Sequence, residues 1–153
     1  MRPSIYALEN ALAVTAGIFL PEDPTLFIGK ERYLRDIIFE INLCYKNGAY
    51  NACSVLLRRL LETLIIKAHQ RAGSLQNVTK TNGNIYSLED LIADVVSNKR
   101  FSLSRNAYDA MPHLKRLGDW GAHNPNVLIR KVVDLDPIKD KSRLCVEELL
   151  NKV

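Results

Sequence analysis

The fold is decided by the stretch Ala49-Tyr-Asn-Ala-Cys-Ser-Val-Leu-Leu-Arg-Arg-Leu-Leu-Glu-Thr-Leu-Ile-Ile-Lys-Ala68. Its apolar residues recur at spacings of three and four without a miss, which is the period of an α-helix with an apolar face. Val55 and Ile66 lie off this stripe, so the helix carries apolar surface on more than one side. We therefore predict that it is the central helix of the fold. Its stripe consists of Ala49, Ala52, Cys53, Leu56, Leu57, Leu60, Leu61, Leu64, Ile65 and Ala68.

A second helix is predicted immediately before the central one. Residues 32–46 carry an apolar stripe, and most of their charged residues lie away from it. Asn47-Gly48 then ends this helix, because glycine readily adopts the left-handed conformation found after helix C-termini. Gly73 closes the central helix.

Further helices are predicted after a polar loop. Residues 74–86 show no periodicity and indicate a loop. Ser87, with Asp90 three residues later, has the pattern of a helix N-cap. Another helix runs from about Ser102, and Pro112 is expected to kink it or to start a new helix, since proline lacks an amide donor.

The C-terminal part contains one more predicted helix. Asn124-Pro125-Asn126 indicates a turn, and residues 127–133 are expected to form either a short strand or an extended connection. Asp136 as N-cap, with Pro137 at the first helical position, predicts the start of the last helix.

Length and composition indicate one globular domain. The chain has 153 residues, of which 47% are hydrophobic and 25% charged, and it shows no repeat or low-complexity segment. We predict a single all-α domain over residues 1–153, built as a bundle of five to seven helices. Residues 1–30 are expected to form an N-terminal helix and an extended lead-in. The apolar stretch 5–20 is too short to cross a membrane, so we do not interpret it as a membrane span.

Charge and cysteine content limit the possible partners. The net charge of +4 permits an anionic partner but is too small to require one. Three cysteines with no CxxC spacing indicate small buried side chains in a reducing compartment and no zinc site. We therefore expect a cytoplasmic protein with no metal, no other cofactor and no membrane association.

The segment Arg116-Leu-Gly-Asp-Trp-Gly-Ala-His123 carries the candidate chemistry. In a helix, a separation of seven residues returns two side chains to nearly the same face, with α-carbons about 10 Å apart. An arginine stays charged and an imidazole exchanges protons near neutral pH, so the pair is suited to phosphate chemistry.

Together with Asn47-Gly-Ala-Tyr50 and Arg58-Arg-Leu-Leu-Glu62, this segment resembles the bacterial family called domain of unknown function 4145. That family is related to the HEPN (higher eukaryotes and prokaryotes nucleotide-binding) helical domains. The resemblance covers roughly residues 31–150. It implies a HEPN-like helical fold, a metal-independent endoribonuclease activity, a homodimer, and a setting in phage defence or a toxin–antitoxin system with a partner protein.

The resemblance also implies roles for individual residues. His123 is expected to be the acid/base, Arg116 to stabilise the phosphate, and Asp119 to orient the imidazole. RNA contacts are expected from Trp120, which can stack on a base, and from basic residues that flank the motif. The basic residues are Lys115, Arg130 and Lys131.

Each of these residues also has a structural interpretation. His123 can be a capping or core histidine, and Arg116 can form an ion pair with Asp119 three residues later. Trp120 can anchor its segment to the core. Arg58 and Glu62 have the i,i+4 spacing of an ordinary helical ion pair, while His69 and His113 are expected to be solvated or half-buried.

Two further functional classes therefore stay open beside the nuclease. The first is a non-catalytic helical module that binds RNA, a nucleotide or a protein, in which the motif serves the structure. The second is an antitoxin-like or regulatory dimerisation protein that uses its apolar N-terminal helix as an interface.

Overall fold

The computed structural model describes residues 18–153, which contain five α-helices and no β-strand. The predicted all-α bundle of five to seven helices is thus confirmed for this part of the chain. Short helical turns connect the helices, and an isolated bridge pairs Thr79 with Ile85 in the long loop. The helices are α1 (Arg32–Lys46), α2 (Tyr50–Ala72), α3 (Leu88–Ser97), α4 (Arg105–His123) and α5 (Lys139–Leu150).

Helix α2 is the central helix, as its apolar stripe predicts. It contacts α1, α3, α4 and α5, and Leu60 and Leu64 are completely buried. Leu56 is partly buried against the same core. Burying one such leucine contributes about 1.5–3 kcal/mol, so the stripe on α2 supplies a large share of the driving force for folding.

Two glycines allow α4 to approach α2 closely. A Cβ atom on Gly118 would overlap Cβ of Arg58 and lie 2.8 Å from its Cδ. A Cβ atom on Gly121 would overlap Oγ of Ser54 and lie 3.0 Å from the carbonyl oxygen of Asn51. The glycines weaken helix propensity by about 1 kcal/mol each, and close backbone packing against α2 is the structural reason for them.

The predicted ends of α1 and α2 and the predicted start of α3 are confirmed. Gly48 and Gly73 adopt positive φ angles of 78° and 71° at the ends of α1 and α2. The Ser87 hydroxyl accepts a hydrogen bond from the backbone N–H of Asp90, at 3.3 Å, at the start of α3. Ser104 caps α4 in the same way, because its hydroxyl accepts from the N–H of Ala107 at 3.2 Å.

Several predictions about the second half of the chain are wrong in detail. Helix α4 begins at Arg105 and continues through Pro112, which is exposed, so of the two alternatives for this proline the start of a new helix is wrong. Asp136 does not cap the last helix, because its carboxylate contacts Tyr45 and Lys131 instead. A turn of 3₁₀ helix (Asp136–Ile138) precedes α5. Of the two alternatives for residues 127–133, the extended connection is confirmed for residues 127–130, whereas residues 131–133 belong to a turn of π-helix (Lys131–Leu135), which neither alternative predicts.

His69 also departs from its prediction. It was expected to be solvated or half-buried, but its side chain is completely buried in the last turns of α2. The hydroxyl of Ser74, directly after α2, lies 2.8 Å from the imidazole Nδ1, and the ring of Phe101 packs edge-on against the imidazole.

The predicted N-terminal helix lies largely outside the described residues. Where the description begins, Phe19 and Leu20 are buried and not helical. The side-chain oxygen of Asn42 accepts from both of their backbone N–H groups at 2.8 Å. None of the helices in residues 18–153 combines the length and apolar character needed to cross a membrane.

The close α2–α4 contact makes a testable prediction for Gly121→Ala. Alanine should improve helix propensity by about 1 kcal/mol, yet the overlap with Ser54 should outweigh this gain and destabilise the fold by a net ~1–2 kcal/mol. Urea denaturation measures the change.

Ser54→Ala provides the matched control, because it removes the overlapping hydroxyl. The double variant should recover part of the stability lost in Gly121→Ala, since the second contact, with the Asn51 carbonyl, persists. A Gly121→Ala variant that is as stable as the wild type would contradict the close contact.

Candidate functional site

The C-terminal half of α4 separates two surface grooves. We call the first the tryptophan groove; it lies between α3 and α4 and has a volume of about 270 Å³. Its main residues are Glu89, Ile92, Lys115, Arg116, Asp119 and Trp120. We call the second the histidine groove; it lies between α2 and α4 and has a volume of about 400 Å³. Its main residues are Val55, Arg58, Arg59, Glu62, Gly118 and His123.

Arg116 and His123 lie on the same helix but line different grooves. The guanidinium of Arg116 is 3.0 Å from Nδ1 of His113 and lies over the ring of Trp120, 5.3 Å from its centre. A guanidinium can only donate, so this contact requires Nδ1 of His113 to be unprotonated. The structure therefore brings Arg116 to His113 and Trp120, and it does not bring it into hydrogen-bond contact with His123.

Asp119 links α2 to α4. One carboxylate oxygen accepts from Nε of Arg58 at 2.7 Å, and the other accepts from Nζ of Lys115 at 2.5 Å. Burial acts to raise the pKa of Asp119, but the hydrogen bonds and charges of Lys115 and Arg58 outweigh it, so this pKa lies below its ordinary value. Both the expected contact of Asp119 with His123 and the alternative ion pair with Arg116 are replaced by this network.

His123 is the last residue of α4 and is exposed. Within residues 18–153 its imidazole makes no hydrogen bond or ion pair, and it lines the histidine groove beside Arg58 and Arg59. It is therefore neither a core histidine nor a capping histidine. An accessible imidazole near two guanidinium groups has the components needed for proton transfer next to a bound phosphate.

Arg59 is the residue that the motif analysis missed. It is exposed on α2, and its guanidinium lies over the ring of Tyr33, 5.7 Å from the ring centre. Glu62 joins the same groove, with a carboxylate oxygen 3.7 Å from Nη1 of Arg58. The available signal was the Arg-Arg pair on the polar side of the central helix.

The groove walls also differ from the sequence interpretation. Val55 and Ile66, the apolar residues off the main stripe, are partly buried and line the histidine groove. The apolar surface off the main stripe thus forms the side of a groove rather than a second buried face.

The expected RNA-binding residues do not form one basic surface. Lys115 is paired with Asp119, and Nζ of Lys131 is 2.9 Å from the Asp136 carboxylate. The hydrogen bond to Asp136 raises the pKa of Lys131 above its ordinary value, so the lysine stays charged but is engaged. Arg130 is exposed, and Trp120 is 37% exposed in the tryptophan groove.

Residues 18–153 hold no cluster of three or more histidine, cysteine or acidic side chains suited to a metal ion. Cys44, Cys53 and Cys145 are free thiols. Burial raises the pKa of Cys53 and of Cys145 to about 12, so both remain protonated and unreactive at neutral pH.

Comparisons with family models, with curated proteins and with solved structures find no match to this chain. The resemblance to HEPN-like domains therefore rests on three sequence motifs alone: Asn47-Gly-Ala-Tyr50, Arg58-Arg-Leu-Leu-Glu62 and the segment from Arg116 to His123.

The Asp119 network predicts the pH dependence of stability. Asp119→Asn should lower the free energy of unfolding at pH 7 by about 1 kcal/mol, because the amide loses the charge-assisted bonds to Arg58 and Lys115. A carboxylate whose folded pKa is lowered contributes stability above the ordinary aspartate pKa of about 3.9 and loses it as pH falls through the folded pKa. The wild type and the variant should therefore converge below about pH 4 in urea denaturation.

Asp109→Asn is the matched control on the same helix. The Asp109 side chain is 47% exposed and lies 3.9 Å from Lys141, so its removal should change stability by at most a few tenths of a kcal/mol. Equal effects of the two substitutions would contradict the special role of Asp119.

Proposed function

We propose that this protein is a metal-independent endoribonuclease whose proton-transfer group is His123 in the histidine groove. The observation that carries the proposal is an exposed imidazole in the same groove as the guanidinium groups of Arg58 and Arg59. The motifs that resemble HEPN domains support the same chemistry. Arg116, which lines the tryptophan groove with Trp120, is assigned to RNA binding rather than to the reacting phosphate.

The reaction needs only groups of this kind. The ribose 2′-hydroxyl attacks the adjacent phosphorus, the bond from phosphorus to the 5′-oxygen breaks, and a cyclic phosphate and a 5′-hydroxyl result. The 2′-oxygen must lose a proton and the 5′-oxygen must gain one, which a histidine can transfer near neutral pH. Fixed guanidinium groups stabilise the negative charge that develops on the phosphate oxygens. We assign the stabilisation of the phosphate charge to Arg59, because Arg58 is already paired with Asp119.

A homodimer would supply the second proton-transfer group. The described residues that line the histidine groove of one chain include one histidine, His123, whereas the reaction both removes and delivers a proton. We propose that two copies bring their α4 C-termini together, so that His123 of the second copy completes the site. The free thiols are in keeping with a cytoplasmic location, and phage defence or a toxin–antitoxin pair is the proposed setting.

The activity predicts a strong effect of His123→Ala. Purified protein incubated with mixed RNA and a chelator should cleave it, and the variant should lose about 10²–10⁴-fold in rate while its circular dichroism stays unchanged. Arg59→Lys should lose most of the activity too, because a point charge cannot reproduce the two-pronged contact of a guanidinium.

Arg32→Ala is the control for the arginine variants. The Arg32 side chain is 90% exposed on α1, and within residues 18–153 its ion pair is with Asp36, four residues later, at 3.6 Å. It should retain wild-type cleavage. The nuclease proposal fails if the wild type does not cleave RNA under any dimer-forming condition, or if His123→Ala cleaves as fast as the wild type.

The second candidate is a non-catalytic binding module, and one observation favours it. Arg58 and Lys115 form ion pairs with Asp119. Few of the basic groups near the motif are therefore available to stabilise the negative charge of a transition state. RNA binding that is weakened by Arg59→Ala, in a protein that never cleaves RNA, would support this module in place of the enzyme.

The homodimer itself is a separate prediction. Light scattering across micromolar concentrations should give about twice the chain mass of 17.3 kDa. A monomer mass throughout this range would contradict the dimer and leave each groove with its single imidazole.

A further inference from the structure

His69 is a buried imidazole whose hydrogen bonding is incomplete. Its side chain is 0% exposed. Nδ1 lies 2.8 Å from the hydroxyl of Ser74, whereas Nε2 is buried and has no hydrogen-bond partner in the described part of the chain. A carboxylate oxygen of Asp94 lies 3.6 Å from Nε2, which is beyond hydrogen-bond distance. A buried polar atom without a partner costs free energy and calls for an explanation.

The turn that packs on His69 is strained. Lys99, Phe101 and Ser102 have φ angles of 46°, 65° and 53°, in the left-handed region that residues with a Cβ atom rarely adopt. Three such residues within four positions persist only where the surroundings hold them in place. The ring of Phe101 meets the imidazole of His69 edge-on, with 4.9 Å between the ring centres. The strained turn thus contacts the incompletely bonded histidine through the side chain of Phe101.

Asp94 holds the strained turn through Arg100. Nε and Nη2 of Arg100 donate to the two oxygens of the Asp94 carboxylate, at 2.5 and 3.0 Å. The hydroxyl of Tyr108 adds a second restraint, because it donates to the carbonyl of Arg100 at 2.7 Å and accepts from the N–H of Leu103 at 3.1 Å. The oxygen bound by Nε of Arg100 is the same oxygen that faces Nε2 of His69. One carboxylate oxygen therefore lies between two possible donors.

We infer that residues 99–102 form an acid-sensitive latch between α3 and α4, in which protonated His69 competes with Arg100 for Asp94 and releases the strained turn. An imidazolium has two N–H donors, so Nδ1 can donate to Ser74 while Nε2 donates to Asp94. Nε2 of His69 thereby gains a hydrogen-bond partner, and Arg100 must share the Oδ2 atom of Asp94, which its Nε binds in the closed turn, while Asn98 keeps its bond to Oδ1. The released backbone can then leave the left-handed conformations.

The charges around His69 set the direction of the pH dependence. Burial lowers the pKa of His69, the negative charge of Asp94 partly offsets this, and the positive charge of Arg100 lowers it further. The closed turn therefore favours the neutral ring. As pH falls below the ordinary histidine value of about 6.5, the open state binds the proton more readily, and the closed state is lost. Opening should increase by up to about tenfold per pH unit until the lower pKa of the closed state is reached.

The latch connects the helices that flank the tryptophan groove. Glu89 and Ile92 of α3 form one side of that groove, and Lys115, Arg116 and Trp120 of α4 lie on the other. Release of the connecting turn frees α3 to move relative to α4. The latch is independent of the proposed nuclease activity, and its test uses no RNA.

Hydrogen exchange of the whole chain tests the latch directly. Protection factors, corrected for the intrinsic effect of pH on exchange, are measured between pH 7.5 and pH 5.0. We expect residues 99–103 of the wild type to lose about tenfold in protection over this range, while peptides of α1 and the middle of α2 keep theirs. His69→Gln should abolish the pH dependence at residues 99–103, and His113→Gln, which changes an imidazole on α4 away from the turn, should leave it intact.

Lys99→Gly provides a second test of the latch, which can be used if His69→Gln does not fold. Glycine adopts positive φ without strain, so this variant should raise protection of residues 99–103 by roughly fivefold at every pH. The inference is overturned if protection in the wild type is independent of pH, if His69→Gln responds to pH as the wild type does, or if Lys99→Gly fails to raise protection.

Discussion

The packing of α4 directly against α2 is the constraint on which the rest of the structure depends. Gly118 and Gly121 present bare backbone to Arg58, Ser54 and Asn51, so the two helices approach more closely than side chains would permit. The approach has a cost in helix propensity, and the buried apolar stripe of α2 offsets it. It also decides where the polar residues lie, because those on either side of the contact line become the walls of two grooves.

The same contact explains why Asp119, a residue of α4, is bound by a side chain of α2. With the backbones close together, the guanidinium of Arg58 reaches across to the Asp119 carboxylate, and Lys115 approaches it from the next turn of α4. Arg58 lines the histidine groove and Asp119 lines the tryptophan groove, so their ion pair lies at the boundary of the two. Arg116 and His123 consequently occupy separate surroundings, and the groove that His123 lines also contains Arg59, from the neighbouring helix.

Much of the fold could be predicted because its signals are local. The central helix follows from apolar residues three and four positions apart, and its end follows from Gly73, whose positive φ glycine accepts at little cost. The errors arise where a distant group competes for a side chain. Asp136 has the sequence pattern of a cap, but Tyr45 and Lys131 bind its carboxylate, and the last helix begins three residues later at Lys139.

The candidate site shows the same division. By itself the sequence determined the helical class, the central helix, most helix boundaries, and a helix that carries Arg116 and His123 seven residues apart, because helix period and end preferences act between near neighbours. Only the tertiary structure decided that Asp119 pairs with Arg58, that His123 shares a groove with Arg59, and that His69 is buried against a strained turn. These outcomes depend on how closely two helices approach and which side chains then compete for one carboxylate, and such distances between separated parts of the chain have no periodic signature in the sequence.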